Sequence, residues 1–297
     1  MRVGLIGRTH WLLDTARLVI EHGHEVAFIC TAPGSSEYRA GVAEFQEFAA
    51  EFGIPCHVQP KISQLELDAD ICLSVNWVTV LKQRFLDRFP HGVYNAHPGD
   101  LPRYRGNACL NWAILAGETE AVLTIHRMVE ELDAGPIAIK RRRSIGPDDD
   151  ITDLYKWLDS EIPRSLIEAL DHAAHGSLNL REQDPTIRPL RVYPRKPTDS
   201  TIDWTASAEE IVRLIRASSR PFDGAVTTLV PDHPVTVFRA RIYVPDHDFL
   251  AVPGQVCFAI NGNPVIAAAD GMVELLELAD DVETKQTILS SLRNRLR

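Results

Sequence analysis

Two hydrophobic periodicities share the first part of the chain. Short apolar runs, Val3 to Ile6, Glu25 to Cys30 and Ala69 to Val75, read as buried strands, with a further candidate at Pro55 to Val58. Between them the apolar positions repeat at helical spacing. Leu12, Ala16, Val19 and Ile20 predict a helix over 11–20 that stops before Gly23. Val42, Phe45, Phe48, Ala49 and Phe52 predict a second over 41–52, closed by Gly53. Alternating strand and helix predicts an α/β fold, a doubly wound, mostly parallel sheet with helices on both faces.

The pattern then changes. A strand near Val93 runs into a loop, and a helix over 108–116 ends at Gly117. Strands are predicted at 122–126 and 136–140, with a turn at Glu130 to Gly135 between them. Asp148, Asp149 and Asp150 cap a long helix bearing Leu154, Trp157, Leu158, Ile162, Leu166, Ile167 and Leu170, which ends near Gly176. Prolines 185, 189, 194 and 197 mark a linker. Beyond it, a helix over 206–217 precedes five short strand patterns at 225–230, 235–244, 255–260, 264–268 and 272–278. These predict a small antiparallel, OB-like barrel, and the basic stretch 285–297 reads as a closing helix. The expected division is a catalytic domain over 1–183, a linker over 184–204 and a C-terminal subdomain over 205–297.

Charge and cysteine content narrow the function. The 297 residues carry a formal net charge of -10, which argues against a broad nucleic-acid surface. The basic triplet Arg141 to Arg143 continues a strand, so it reads as a solvated edge. Five widely spaced cysteines without a C-x-x-C pair read as free thiols of a reducing compartment, not as a metal site. The apolar start is too short for a secretory leader, and no run reaches membrane-spanning length, so a cytoplasmic location is expected. The first strand–helix turn, Gly7 to His10, is not a dinucleotide-binding fingerprint, and His10 and Trp11 read as exposed loop residues.

The candidate chemistry lies in Val93 to Gly106. Asn95 and His97 are two residues apart on a strand, so their side chains share a face. Pro98 biases His97 toward an extended backbone and fixes its direction. A carboxamide donor beside an imidazole suits a carbonyl oxygen that gains negative charge, and the imidazole can also move a proton. No serine or cysteine occupies a nucleophile elbow, which argues against a covalent acyl-enzyme. The third member is expected to be Asp133, in a turn between strands that should neighbour the first, where a carboxylate near His97 raises its pKa and assists proton transfer; Asp before Gly is also ordinary turn chemistry.

The string Asn95 to Gly106, followed by Trp112 to Ile114, Gly117-Glu118, Thr124 and His126, and Leu132 to Gly135, resembles the folate-dependent formyltransferases. Tyr193 to Pro197, Ile202 to Trp204 and Pro253 to Val256 resemble the C-terminal subdomain of that family's longer members. The resemblance implies catalytic roles for Asn95, His97 and Asp133, with N10-formyltetrahydrofolate as formyl donor to a primary amine. It implies folate contacts at Asn76, Trp77 and Val78, and at Leu101 and Arg105. No metal is implied. The sequence departs from the family pattern at Gly99 and at Ala121 to Leu123.

For the acceptor, the acidic chain and the loop Thr31 to Glu37 favour an amino-sugar nucleotide over a tRNA, with another small amine as third choice. A formyl-folate hydrolase and an inactive folate-binding module stand as rivals of another class. A homodimer is compatible with the C-terminal subdomain.

Overall fold

The computed structural model describes residues 1–34 and 38–297. Residues 35–37, part of the acidic stretch Thr31 to Glu37, lie outside the described residues. Two compact units are described separately: residues 1–109, 120–144 and 155–193, and residues 110–119, 145–154 and 194–297.

The first unit is built on a seven-stranded sheet. Strands β1 (Arg2–Gly7), β2 (Glu25–Thr31), β3 (Cys56–Val58), β4 (Ile71–Val75) and β5 (Val93–His97) run parallel in the order β3-β2-β1-β4-β5. The order reverses between β1 and β4, so the carboxyl ends of those strands form the crevice where open α/β sheets bind ligands. A two-residue strand β6 (Arg105–Gly106) lies outside this sheet. Two further strands, β7 (Glu120–Arg127) and β8 (Ile137–Ser144), extend it antiparallel, an ending that strand periodicity alone does not reveal.

Helices cover both faces, as the alternation predicts. Ile6, Phe28, Cys72 and Val93 bury one face against Ile62, Leu67, Phe85 and Phe89, beside the short helix α3 (Gln83–Leu86). Gly7 points the opposite way, toward Leu12 of helix α1 (His10–Glu21). Helix α2 (Val42–Phe52) packs on β2 and β3. Helix α4 (Cys109–Leu115) follows β6, and helix α5 (Ile151–Ala174) follows β8. Asp150 caps α5, its Oδ1 accepting from Thr152 N at 2.8 Å.

His10 and Trp11 are not exposed loop residues. Both begin α1 and donate to Asp159 of α5, His10 Nε2 at 2.8 Å and Trp11 Nε1 at 2.7 Å. That partner is far away in sequence, so local reasoning could not supply it. The Arg141 to Arg143 strand edge behaves as expected: Arg141 pairs with Glu168, and Arg142 with Glu120.

The short strand β9 (Arg191–Val192) pairs with β6. In the second unit, helix α6 (Ala208–Ser218) starts at a capping box. Glu210 N donates to Ser207 Oγ at 3.2 Å, and Ser207 N to Glu210 Oε2 at 3.0 Å. Strands β10 (Ala225–Leu229), β11 (His233–Tyr243), β12 (Val256–Ile260), β13 (Asn263–Ala267) and β14 (Met272–Leu278) form an antiparallel sheet in the order β10-β11-β14-β13-β12. Val235, Val237, Ile266, Val273 and Leu275 point inward, where Ile211 and Ile215 of α6 cover them.

The basic C-terminal stretch is only partly helical. Helix α7 (Asp281–Leu289) ends early, and the last residues are extended. Leu296 bridges to Leu229, and Arg295 to Gln255. The tail thus pairs with both outer strands and closes the barrel, removing two exposed edges.

Candidate active site

The β4–β5–β7 register sets the site. Ser74, Asn95 and His126 lie side by side across the three strands, and His97 lies opposite Thr124. Because side chains alternate, Asn95 and His97 share one face, and their antiparallel partners His126 and Thr124 share it too. Thr124 Oγ1 donates to Gly99 O at 2.6 Å, which ties the loop after β5 to β7.

His97 is 4% exposed and its ring is fixed from one edge. Its Nε2 lies 2.7 Å from Tyr104 O, so this nitrogen carries a hydrogen and donates it. The opposite nitrogen, Nδ1, lies 3.7 Å from Asp133 Oδ2. Gly99 is explained by this ring: a Cβ there would stand 2.7 Å from His97 Nε2 and 2.8 Å from Tyr104 O. Burial depresses the His97 pKa. The Cys109 sulfur and the Asp133 carboxylate outweigh burial, with help from Tyr104 O, and raise it to about 9. When protonated, the ring carries an Nδ1–H that faces Asp133 and can be donated.

Asp133 reaches the site through a costly turn. It has φ 50, in the left-handed region, where a non-glycine residue costs about 1–3 kcal/mol. Gly135 makes the turn feasible, since a Cβ there would stand 1.8 Å from Arg127 O. Gln183 clamps the turn, its Nε2 donating to Asp133 O at 2.7 Å and Gly135 O at 2.9 Å. Arg105 Nη2 in turn donates to Gln183 Oε1 at 2.8 Å. The carboxylate itself accepts Gly106 N at Oδ2, 2.8 Å away, while Oδ1 faces His126 Nε2 at 3.6 Å.

Asn95, His97 and Asp133, singled out from the sequence, are thus brought together. The proposed folate residues fall in two places. Asn76 and Trp77 follow β4, with Asn76 at φ 53 and its carbonyl held by Arg8 Nε at 3.1 Å. Val78 is exposed, as are Val80 and Leu132, and Lys82 pairs with Glu130 at 2.9 Å, linking the loop after β4 to the Asp133 turn. An apolar rim beside polar groups is what a flat heteroaromatic ligand needs. Leu101 is buried, its carbonyl accepting from Lys140 Nζ at 2.6 Å. Arg105 pairs with Glu131 at 2.8 Å as well as with Gln183.

Sequence reasoning assigned no role to three residues. His126 was visible only as part of a motif, and its place opposite Asn95 depends on antiparallel pairing. Gln183 falls at the predicted boundary between the catalytic domain and the linker, where nothing in the local sequence marks a role. Cys109 is buried, with Sγ 3.0 Å from Tyr104 O and 3.6 Å from His97 Nε2. This thiol stands at the ring edge away from Asp133, so it is not placed to attack at the Asn95–Asp133 side. Among the described residues no group of side chains could hold a metal ion. Nor is any helix long and apolar enough to cross a membrane.

Residues 40–170 match a family model described as formyl transferase, and residues 195–295 match its C-terminal domain. Among solved structures, the chain is similar to WlaRD, a sugar 3N-formyltransferase crystallised with dTDP and 5-N-formyl-THF. The identity is 16% and the TM-score 0.71, covering 93% of this chain and 97% of that one. It is similar to an N-formyltransferase from Helicobacter canadensis in complex with folinic acid and dTDP-3-aminofucose, at 16% identity and TM-score 0.68, covering 93% and 98%. HypX from Aquifex aeolicus, in complex with tetrahydrofolic acid, matches at 18% identity and TM-score 0.62, over 94% of this chain but 44% of HypX.

Proposed function

Because the chain belongs to the formyl transferase family, we propose that it moves a formyl group from N10-formyltetrahydrofolate to a primary amine of a nucleotide-linked amino sugar. The observation that carries this reading is the convergence of Asn95, His97 and Asp133 on one face at the end of β5. The folate supplies the activated formyl carbon. WlaRD and the Helicobacter canadensis enzyme, crystallised with reduced folates together with dTDP or a dTDP-sugar, support the donor and the acceptor class. The net charge of -10 supports a small acceptor over a tRNA.

In this mechanism the neutral amine attacks the formyl carbon directly. His97 donates from Nδ1, and the Asn95 amide from Nδ2, to the oxygen that becomes negative. Both donors are positioned before reaction, His97 by Tyr104 O and Asn95 by its place in β5, so little reorganisation accompanies charge development. Asp133 holds the His97 charge in place and faces the amine. Donor and acceptor held together provide the proximity contribution.

The test is a donor-dependent screen of amino-sugar nucleotides, small amines and charged initiator tRNA, read by product mass. Formylation of an amino-sugar nucleotide is the expected result. Formylation of the tRNA alone overturns the acceptor assignment, and formate release without any amine identifies a hydrolase.

A further inference from the structure

His126 is buried and belongs to none of the roles assigned above. Its Nδ1 lies 3.1 Å from Arg127 O. A carbonyl only accepts, so Nδ1 carries the hydrogen, and in the neutral ring Nε2 carries a lone pair. The ring is kept neutral: burial, then the charge on His97, lower its pKa to about 4, against the opposing pull of Asp133.

That lone pair faces two groups. Asn95 Nδ2, a donor, is 3.5 Å away. Asp133 Oδ1, an acceptor, is 3.6 Å away. Asp133 directs its other oxygen to Gly106 N at 2.8 Å, and among the described residues no donor reaches Oδ1. A buried ring nitrogen and a half-buried carboxylate oxygen, both acceptors, therefore face one another with no hydrogen between them. A third group that donates to both relieves their mutual repulsion. A primary amine, with two N–H bonds on one atom, fits that requirement beside Asn95 and His97.

We propose that His126 is a catalytic residue that, with Asp133, cradles the acceptor amine and takes its proton. The proposal rests on the formyl-transfer reading above. Asp133 Oδ1 and His126 Nε2 each accept one N–H, which turns the nitrogen lone pair toward the formyl carbon. The new nitrogen–carbon bond forms as the carbonyl π pair moves to oxygen. His126 Nε2 then takes the proton of the positively charged nitrogen. When the pair on oxygen returns, the bond from carbon to folate N10 breaks and N10 receives that proton. The negative oxygen offsets the His97 charge that disfavours a proton on His126, so the base strengthens as attack proceeds. His97 stays a hydrogen-bond donor throughout, which divides oxyanion stabilisation from proton transfer between two histidines.

The first test needs no turnover. Imidazole nitrogen NMR of the full chain at pH 7 is expected to show His126 neutral, with its hydrogen on Nδ1. A charged ring, or a hydrogen on Nε2, overturns the proposal whatever the enzyme's activity. The second test uses wild type, His126→Ala and His126→Gln, with thermal melting to establish folding and calorimetry to establish folate binding. Turnover is expected to fall about a hundredfold in both variants with folate affinity unchanged. Added imidazole is expected to restore turnover to His126→Ala. If the alanine variant does not fold, the glutamine variant decides, through its loss of turnover at unchanged folate affinity. Wild-type turnover in a folded variant, or failure of imidazole to rescue a folded alanine variant, overturns the base assignment. If wild type formylates no amine, the functional reading has failed, a result distinct from either variant outcome.

Discussion

Two carboxylates, one buried and one half-buried, show how differently the two units treat polar groups. Glu274 of β14 is fully buried, and its demands are met. Oε2 accepts from Arg241 Nε at 2.7 Å and Oε1 from Asn263 Nδ2 at 2.8 Å. Asp133 has one short hydrogen bond, to Gly106 N, and otherwise faces two histidines at 3.6 and 3.7 Å. The barrel carboxylate is a completed structural network. The site carboxylate is held by its backbone, through Gln183 and a left-handed turn, while its oxygens remain available. Structure completed internally stabilises; structure left incomplete at a buried site is poised to receive a substrate.

The largest effects should come from the site. Asn95→Ala, His97→Ala and Asp133→Asn should each lower turnover about a hundredfold or more, with melting temperature close to wild type. Steady-state kinetics and thermal melting on the same preparations check this. A substantial drop in melting temperature for Asp133→Asn would place Asp133 with Glu274 as a structural group. Conversely, Asn263→Ala together with Arg241→Ala should leave Glu274 buried and unpaired and cost about 3–5 kcal/mol in chemical denaturation. Turnover per folded molecule should not change.

Gln183→Ala should give an intermediate result. It frees the Asp133 turn without removing a reacting group, so turnover should fall about tenfold with little change in folate affinity. Kinetics and calorimetry separate these outcomes.

The smallest effects should appear in pH dependence, and the two histidines should act in opposite directions. The His97 pKa is raised to about 9, so its stabilising contribution is complete below the ordinary imidazole value and is lost as pH rises through about 9. Turnover should fall over the same alkaline range as the Nδ1–H is lost. The His126 pKa is lowered to about 4, so the folded protein loses stability as pH falls from the ordinary imidazole value toward about 4. Melting temperatures across pH, compared between wild type and His126→Gln, should show the acid-side loss diminished in the variant.

Much of this was legible in the sequence because it depends on short-range periodicity. Period two placed Asn95 and His97 together, and helical spacing located α1, α2 and α5. Strand and turn signals located all five barrel strands. The rest depends on contacts that residue type does not encode locally. The Tyr104 carbonyl that orients His97 is a backbone atom. His126 joins the site only through β5–β7 register. Gln183 reaches Asp133 across 50 residues. Asp159, which holds His10 and Trp11, is 148 residues beyond Trp11. The tail reads as helix from its composition, yet its final residues complete the barrel through backbone pairing with β10 and the edge of β12.

Direct transfer at Asn95, His97 and Asp133, as proposed above, passes through no formyl-enzyme. A rapid-quench experiment with labelled N10-formyltetrahydrofolate and an amino-sugar nucleotide, following the label in protein and product, tests it most directly. Label is expected to pass to the amine with none bound to protein, in wild type and Cys109→Ala alike. Label accumulating on protein before product appears, and lost in Cys109→Ala, would contradict it.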